Sequence, residues 1–326
     1  MDVSVIIVNY KTPDLVIDCV NSVRQLTEGI SYEIIVVDNA SKDNSLEVLR
    51  KEFGETIKLI ESDTNLGFGR ANNLGFENAV GDYVFLLNSD TVLVNNAIKI
   101  LYDYLENNNN VGIVGGNLYS VDMKENSSFS LSFDDVDSLK KKARWTSIIT
   151  EIIFRLYRQR FYSDEQKRRY TYKNTFNHTD RPMEVGYIFG ADMMLSRKLY
   201  NKMGGFDPDF FMYAEEEELS WRIHQAGYKI ISVPAAKIIH LDGGTFKIDN
   251  SFNSRQFSMR MTGAMTYYRK RFGPQGVQYF YHYRMLRLER QHKLAKLMHR
   301  PMLQDVTQKQ MKSLTERYEK IKQQIL

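Results

Sequence analysis

The chain has 326 residues, 43% of them hydrophobic, and is therefore long enough to bury a sizeable core. Its formal net charge is only +4, and without a recognised binding motif this makes nucleic acid a poor partner. No apolar run approaches the roughly 18 residues of a membrane span, and the first residues lack the charged region of a signal peptide. With Cys19 as its single cysteine, the chain is expected to be cytoplasmic.

The first part of the chain alternates apolar runs with amphipathic segments. The predicted strands are Val3–Val8, Glu33–Val37, the weaker Ile57–Ile60, and Tyr83–Leu87. The predicted helices between them are Asp14–Leu26, Ser45–Phe53 and Gly69–Asn78. This order predicts a doubly wound α/β half of about 115 residues, the size of one nucleotide-binding unit.

Polar residues follow three of these strands, and Asp90 closes the most apolar one. Ligands of open α/β sheets bind outside the carboxyl ends of the strands, so Asp90 is expected to face a ligand or metal. A helix-capping role is the alternative. Residues 9–13, the turn after the first strand, contain no glycine, which disfavours a dinucleotide site. The chain also has no P-loop motif, so a phosphate would not be bound by a glycine-rich loop of that kind. A metal at Asp90 then becomes the natural partner of a diphosphate.

Five ordered motifs carry a resemblance to a known family. They are VSVIIVNYKTPD, VVDNASKDNS, NLGFGRANNLG, FLLNSDT and GGFDPDFFMYAEEEELSWRIHQAG. The chain resembles the family 2 glycosyltransferases of the GT-A fold, most of all the rhamnosyltransferase branch that builds bacterial surface polysaccharides. The resemblance implies an α/β fold with a Rossmann-like mixed sheet flanked by helices, and it covers residues 1–245.

The resemblance also implies a site for a nucleotide-diphospho-sugar donor. Tyr10 would stack on the base, and Asp38 would accept a hydrogen bond from the N3–H group of uracil or thymine. Cytosine has no proton on N3. Asn88-Ser89-Asp90 stands at the D-x-D metal motif with only its last acid present, which makes Asp90 the main metal ligand. The other donor positions are Val8, Asn65, Gly67, Asn73 and Arg70, the last opposite a phosphate.

The acidic run Glu215–Glu218 has two interpretations. Composition favours a solvated helix start, because acids stabilise the positive end of the helix dipole. The resemblance instead gives Glu216 the role of the base that deprotonates the acceptor hydroxyl. The family has Asp there, and the longer Glu shifts the carboxylate, so Glu215 is a second candidate. If a cation neutralises the departing diphosphate, one carboxylate base is enough for the reaction. A single base implies a single displacement, with inversion at the anomeric carbon.

The second half of the chain contains three more candidate residues. His240 matches a family histidine that completes the metal site, with a structural role as the alternative. Asp90 with His240 suits Mn²⁺ or Mg²⁺ better than Zn²⁺. Asp192 matches a segment on the acceptor side, where the alternative is a tight turn into a buried strand, and Trp221 is assigned to the acceptor with it.

Charge is concentrated in two segments. Residues 140–173 carry 11 basic against 3 acidic side chains, and residues 255–326 carry 16 against 4. Together with the resemblance, this distribution predicts a GT-A catalytic domain over 1–245, consisting of a nucleotide-binding half (1–118), a basic insertion (123–180) and an acceptor half (181–245), then a basic helical extension over 246–326.

The basic segments also contain interleaved aromatic and apolar residues. They predict peripheral contact with an anionic membrane, at the inner face of the cell membrane, or with a lipid-diphosphate acceptor. Solvated helices packed on the core are the alternative. Met311, Leu314, Tyr318, Ile321 and Ile325 form a short heptad seam, which predicts pairing with another helix or with a second subunit in a homodimer.

Together these features predict an inverting, metal-dependent transfer from a UDP- or dTDP-sugar, dTDP-rhamnose among them, to a glycan or lipid-linked acceptor. The alternative is a non-catalytic scaffold of the same fold that binds membrane or protein partners through its basic segments. It rests on Asn88 and Glu216, which both depart from the family pattern. A sugar nucleotidyltransferase would need a basic, glycine-rich triphosphate loop near the first strand, which is missing.

Overall fold

The computed structural model describes residues 1–142, 160, 162–241 and 253–325. The described residues form two compact units. The first contains those of 1–133, 168–211 and 215–248, and the second those of 134–167, 212–214 and 249–326. The predicted domain boundary at 245/246 and the apolar residues of the basic insertion from 145 to 157 lie outside the described residues.

Eleven strands are present among the described residues. They are β1 (Val3–Asn9), β2 (Tyr32–Asp38), β3 (Lys58–Glu61), β4 (Tyr83–Asn88), β5 (Thr91–Leu93), β6 (Val111–Tyr119), β7 (Phe129–Ser130), β8 (Met183–Glu184), β9 (Tyr187–Ile188), β10 (Asp192–Ser196) and β11 (Lys229–His240). The main sheet has the order β3-β2-β1-β4-β10-β6-β11-β5, with β8 paired to β11, while β7 and β9 pair separately. Strands β3, β2, β1 and β4 are parallel, and β10 enters antiparallel beside β4, so the sheet is mixed.

The described helices follow the amphipathic segments of the sequence. They are α1 (Pro13–Leu26), α2 (Ser45–Phe53), α3 (Phe68–Glu77), α4 (Ala97–Glu106), α5 (Val136–Lys142), α6 (Asp164–Thr171), α7 (Arg197–Met203), α8 (Glu215–Gln225), α9 (Ser254–Leu297) and α10 (Pro301–Ile325). The strands and helices predicted before residue 90 are all present, with bounds that differ by at most one residue at either end.

Alternation along β1 explains why helices cover both faces of the sheet. Successive side chains of a strand point to opposite faces. Val5 and Ile7 belong to one core cluster, together with Cys19 of α1. Ile6 belongs to the other, together with Ala71 of α3. The strand is therefore buried on both sides, as its continuous apolar run predicts.

The second unit contains a helical hairpin. Helix α9 is interrupted at Gly273, which has φ 66° and ψ −164° and is followed by Pro274. Beyond this break, α9 packs against α10, with the rings of Tyr281 and Tyr318 stacked at 4.0 Å. Two residues of the predicted heptad seam, Leu314 and Ile321, are buried here. Among the described residues, no helix is both long and apolar enough to cross a membrane.

Candidate active site

The parallel pairing of β1 with β2 and β4 brings the predicted donor residues to one edge of the sheet. Asn9 at the end of β1 lies opposite Asp38 at the end of β2, and Val8 lies opposite Asn88 of β4. Tyr10 directly follows β1 and is half-buried, as is Val8. The structure thus gathers the base-binding candidates and the start of the metal motif at the carboxyl ends of three adjacent strands.

Asp38 is held rigidly at this edge. Its Oδ1 accepts hydrogen bonds from Asn9 Nδ2 at 2.6 Å and Ser41 Oγ at 2.5 Å, and its Oδ2 accepts from the Ser41 backbone N–H at 3.1 Å. Asp38 is 1% exposed, so these bonds stabilise a buried carboxylate. Asn9 and Ser41 were not predicted as site residues. The signal for Asn9 was a polar residue closing an otherwise apolar strand.

A second amide, Asn39, organises the loop that contains the predicted residues Asn65 and Gly67. Asn39 Oδ1 accepts from the Leu66 N–H at 2.8 Å, and its Nδ2 donates to Gly67 O at 3.1 Å and to Asn65 Oδ1 at 3.2 Å. Arg70 Nε donates to Leu66 O at 2.7 Å. The loop is thus fixed from both sides, and the sequence did not single out Asn39 for this role.

Asn73 faces the protein's own backbone. Its Nδ2 donates to Phe206 O at 2.8 Å, while its Oδ1 accepts from the Phe206 N–H at 2.9 Å and from the Tyr200 hydroxyl. These bonds join α3 to the segment that follows α7. The Asn73 amide therefore clamps the fold, with its Oδ1 and one of its two Nδ2 hydrogens bonded to the protein.

The metal candidates Asp90 and His240 meet although 150 positions separate them. The strand β11 pairs antiparallel with β5, which sets His240 opposite Thr91, and the Leu241 N–H donates to Asp90 O at 2.9 Å. His240 Nε2 consequently lies 3.3 Å from Asp90 Oδ1. The two side chains are 18% and 12% exposed, so the pair lies in a largely enclosed position that solvent still reaches.

An oxygen and a nitrogen donor at this spacing fit Mn²⁺ or Mg²⁺, which commonly take few protein ligands and complete their shell with phosphate oxygens and water. The described residues contain no group of three His, Cys, Asp or Glu side chains arranged to hold a metal. With Asp90 and His240 as the two protein ligands, coordination positions would remain for the diphosphate. The other two residues of the motif have contacts within the protein. Ser89 Oγ lies 3.4 Å from Thr12 Oγ1, and the Asn88 backbone N–H donates to Ala191 O at 3.0 Å.

The acids of the run Glu215–Glu218 differ in their surroundings. Glu215 is 2% exposed, and its Cγ would lie 3.6 Å from a Cβ built on Gly69 of α3. Glu218 is 5% exposed and forms a two-pronged ion pair with Arg222, with both N···O distances at 2.7 Å. The run is thus not a fully solvated helix start, since only Glu216 among the four is half-exposed.

Glu216 faces the segment that leads into β10. A Cβ built on Gly190 would lie 4.0 Å from Cβ of Glu216 and 3.2 Å from the ring of Phe68. Gly190 therefore lets the Phe68 ring pack closely against this segment, with Glu216 beside it. The half-exposed carboxylate of Glu216 is better placed to receive a proton from an acceptor than the packed Glu215.

Asp192 lies beneath the site. It is fully buried, and its Oδ2 accepts from the Gly116 N–H at 2.5 Å, whereas Oδ1 has no hydrogen-bond partner in the described part of the chain. Burial raises the pKa of Asp192 well above its usual range, opposed by the Gly116 N–H and by His240. This carboxyl does not reach the surface where an acceptor would bind, and Trp221, on α8, is half-buried.

Residues 4–204 match the family model "Glycosyl transferase family 2". The chain belongs to glycosyltransferase family 2. Its fold is similar to that of the mannosyltransferase PcManGT from Pyrobaculum calidifontis, solved with GDP-Man and Mn²⁺. The TM-score is 0.55, at 13% sequence identity over 97% of this chain and 86% of that one. The predicted family and GT-A fold are thus confirmed.

Curated relatives match part of this family 2 chain. A poly(ribitol-phosphate) beta-glucosyltransferase of Bacillus spizizenii is 31% identical over 45% of this chain and 24% of its own length. The N-acetylglucosaminyl-diphospho-decaprenol L-rhamnosyltransferase of Mycobacterium tuberculosis is 24% identical over 64% of this chain and 66% of its own. The chain therefore spans less than two thirds of the length of these relatives.

Proposed function

We propose that this family 2 glycosyltransferase moves a sugar, with inversion, from a uridine or thymidine diphosphate sugar to a glycan or lipid-linked acceptor of a bacterial surface polymer. The observation that carries the proposal is the approach of His240 Nε2 to Asp90 Oδ1, 3.3 Å apart at the carboxyl edge of the sheet. Two bacterial relatives are named for the acceptors that they glycosylate. One acceptor is a poly(ribitol-phosphate) and the other an N-acetylglucosaminyl-diphospho-decaprenol, and both support the proposed acceptor class.

The donor base would lie against Tyr10 and Val8, beside the fixed carboxylate of Asp38. One of the two Asp38 oxygens accepts a single bond, from the Ser41 N–H, and retains a lone pair for the N3 proton of uracil or thymine. Arg70 and the Asn65–Gly67 loop would face the phosphates. The backbone of that loop is already held by Asn39, so little ordering is needed when the donor binds.

Asp90 and His240 would hold Mn²⁺ or Mg²⁺, with Ser89 and Asn88 in the turn that aims Asp90. When bound, a divalent cation neutralises the charge on the departing diphosphate, so no protein acid is needed for the leaving group. Asp192 supports this site from below and does not contact the acceptor directly.

Glu216 would act as the base. Its half-exposed carboxylate takes the proton of the acceptor hydroxyl as that oxygen attacks the anomeric carbon from the face opposite the diphosphate. The acceptor hydroxyl would approach on the Gly190 side of Glu216, with Trp221 further along α8. A single displacement needs one base only. In this proposal Glu215 therefore has a packing role, and Glu218 forms the ion pair with Arg222.

The test is nucleotide diphosphate release from a panel of donors, measured with and without Mn²⁺, for Glu216→Gln and Glu215→Gln. The first variant removes the proton acceptor and should lower turnover by roughly 10² to 10⁴ with donor affinity nearly unchanged. The second is the matched control and should retain most turnover. A loss confined to Glu215→Gln would assign the base to Glu215, and release by neither variant nor wild type would favour the scaffold alternative.

Peripheral membrane contact and homodimer formation stay predictions. The 16 basic residues of 255–326 support the first, and the exposed apolar side chains of Met302 and Leu303 on α10 support the second. Binding to anionic vesicles at low salt and light scattering test them in turn.

A further inference from the structure

Residues 296–303, the hairpin tip, connect α9 to α10 and gather exposed apolar side chains in one place. Met302 is 83% exposed, Leu297 76%, Met298 45% and Leu303 42%. All four fall within seven consecutive residues, whereas the other exposed large apolar residues in the described part of the chain are spread from Met1 to Tyr279. Single exposed apolar residues are ordinary, but a cluster of them marks a surface that binds a partner.

The hairpin tip is a closed turn and not a frayed helix end. The Arg300 N–H donates to Ala295 O at 2.9 Å, and His299 between them has a φ of 52°. Gln304 Nε2 donates to the same Ala295 oxygen at 3.3 Å. Pro301 begins α10 at the position where a missing N–H has no cost. The apolar side chains are therefore exposed on a backbone that hydrogen bonds hold in place.

Positive charge surrounds these apolar side chains. Residues 291–304 contain three basic side chains and no acidic one. The three are Lys293, Lys296 and Arg300, and all are exposed. The first acid of α10 is Asp305, whose Oδ2 lies 2.6 Å from Nζ of Lys309. The hairpin tip thus presents apolar and cationic groups together.

We propose that the hairpin tip inserts into the surface of an anionic lipid bilayer. Its apolar side chains would enter the boundary between headgroups and acyl chains, while the lysines and the arginine keep their charges among the headgroup phosphates. The charge of the basic segments predicted membrane contact without a place for it, and the exposed tip supplies one. The insertion needs neither donor nor acceptor and lies in the second unit, so it goes beyond the proposed transfer reaction.

A second copy of the chain is the competing occupant, because a homodimer would also cover Met302 and Leu303. Two tips in contact would bring the three basic side chains of each copy together, with no acid of residues 291–304 to compensate them. Like charges brought together oppose association. An anionic bilayer offers both an apolar interior and the opposite charge, so the composition of the tip favours lipid.

The first experiment is flotation of the full chain with phosphatidylglycerol vesicles, without donor or acceptor. The double variant Leu297→Gln/Met302→Gln removes apolar surface and changes no charge, so vesicle binding should fall at least about tenfold. Both side chains are exposed, and thermal unfolding without vesicles should match the wild type. The matched control is Val80→Gln/Val121→Gln, whose side chains are 58% and 67% exposed, and it should bind as the wild type does. Wild-type binding by the Leu297→Gln/Met302→Gln variant overturns the proposal.

A charge variant separates insertion from electrostatic adsorption. Lys293→Gln/Lys296→Gln/Arg300→Gln should lose most of the preference for phosphatidylglycerol over phosphatidylcholine vesicles. Raised salt should weaken wild-type binding in part only, because salt screens charges and leaves the apolar contribution in place. Complete release of the wild type by salt, or an unchanged lipid preference in the triple variant, contradicts the proposed insertion.

A fluorescent label finds which part of the chain enters the bilayer. Met302→Cys is labelled with an environment-sensitive fluorophore, which the buried Cys19 does not reach. The emission should shift to the blue on phosphatidylglycerol vesicles, whereas a label at Val121→Cys should not respond. No shift at position 302, or equal shifts at both positions, refutes insertion of the tip. A shift that grows with protein concentration in the absence of vesicles would instead place a second copy there, and it also refutes the proposal. These measurements use no turnover, so their failure leaves the proposed transfer reaction unaffected.

Discussion

Gly67 gives a sharp test of how the loop beside the nucleotide site is built. Its φ of 80° and ψ of −174° lie in a region that is essentially restricted to glycine. A Cβ at this position would lie 1.9 Å from Phe211 O, the acceptor of the Phe68 N–H at 2.9 Å. Gly67→Ala therefore strains the backbone and collides with a hydrogen-bonded carbonyl at once.

The cost can be compared with a glycine of nearly the same φ. Gly204, which ends α7, has φ 77°, but no atom lies within 4 Å of its Cβ position. Gly204→Ala should then show backbone strain alone, about 1–2 kcal/mol. Gly67→Ala adds overpacking of about 1–3 kcal/mol and a weakened hydrogen bond of about 1 kcal/mol to its own strain of about 1–3 kcal/mol. We expect a total loss of about 3–7 kcal/mol.

Urea denaturation followed by circular dichroism measures both losses by linear extrapolation. The excess loss of Gly67→Ala over Gly204→Ala should be about 1–6 kcal/mol, which is a measurable share of a typical folding free energy. Equal losses in the two variants would refute the reasoning, because they would mean that Phe211 moves away without cost.

Two further predictions concern the carboxyl groups of the site. Asp90→Ala should abolish Mn²⁺-dependent donor binding in calorimetry, while the exposed Asp63→Ala should leave it intact, and undiminished binding in the first variant would contradict the metal assignment. For Asp192, the raised pKa means that the folded chain holds a proton that the unfolded chain releases near its usual pKa of 3.8. Wild-type stability should therefore fall as the pH rises above about 4, by about 1.4 kcal/mol for each unit of raised pKa, whereas Asp192→Asn should lack this slope. Parallel pH profiles of the two proteins would contradict the assignment.

Local patterns were sufficient for the first half of the fold. The apolar runs of β1, β2 and β4 alternate with helical periodicity, and parallel strands joined through helices must end at the same edge. This is why Tyr10, Asp38 and Asp90 could be placed near one another from the sequence. Asn9 was visible as a polar strand end but carried no sign of its bond to Asp38.

Contacts between distant parts of the chain could not be predicted in the same way. The Asn73 clamp joins Asn73 to Phe206, 133 positions further along the chain. Hydrophobic periodicity describes neighbouring residues only, so it cannot predict such a pairing. Asp192 is buried because β10 enters antiparallel between β4 and β6. His240 reaches Asp90 only after register shifts along β11 between Ser232 and Lys237. Sequence reasoning reached His240 through family resemblance alone.

The choice between Glu215 and Glu216 depends on the rotational phase of α8. Consecutive residues of a helix point about 100° apart, so two adjacent acids cannot face the same space. The helix begins directly after Tyr213 and Ala214, which both have positive φ, and this entry leaves Glu215 against Gly69 and Glu216 beside Gly190. A change of one residue in that entry would exchange the two acids. The contrast between Glu216→Gln and Glu215→Gln therefore measures the phase of the helix as well as the identity of the base.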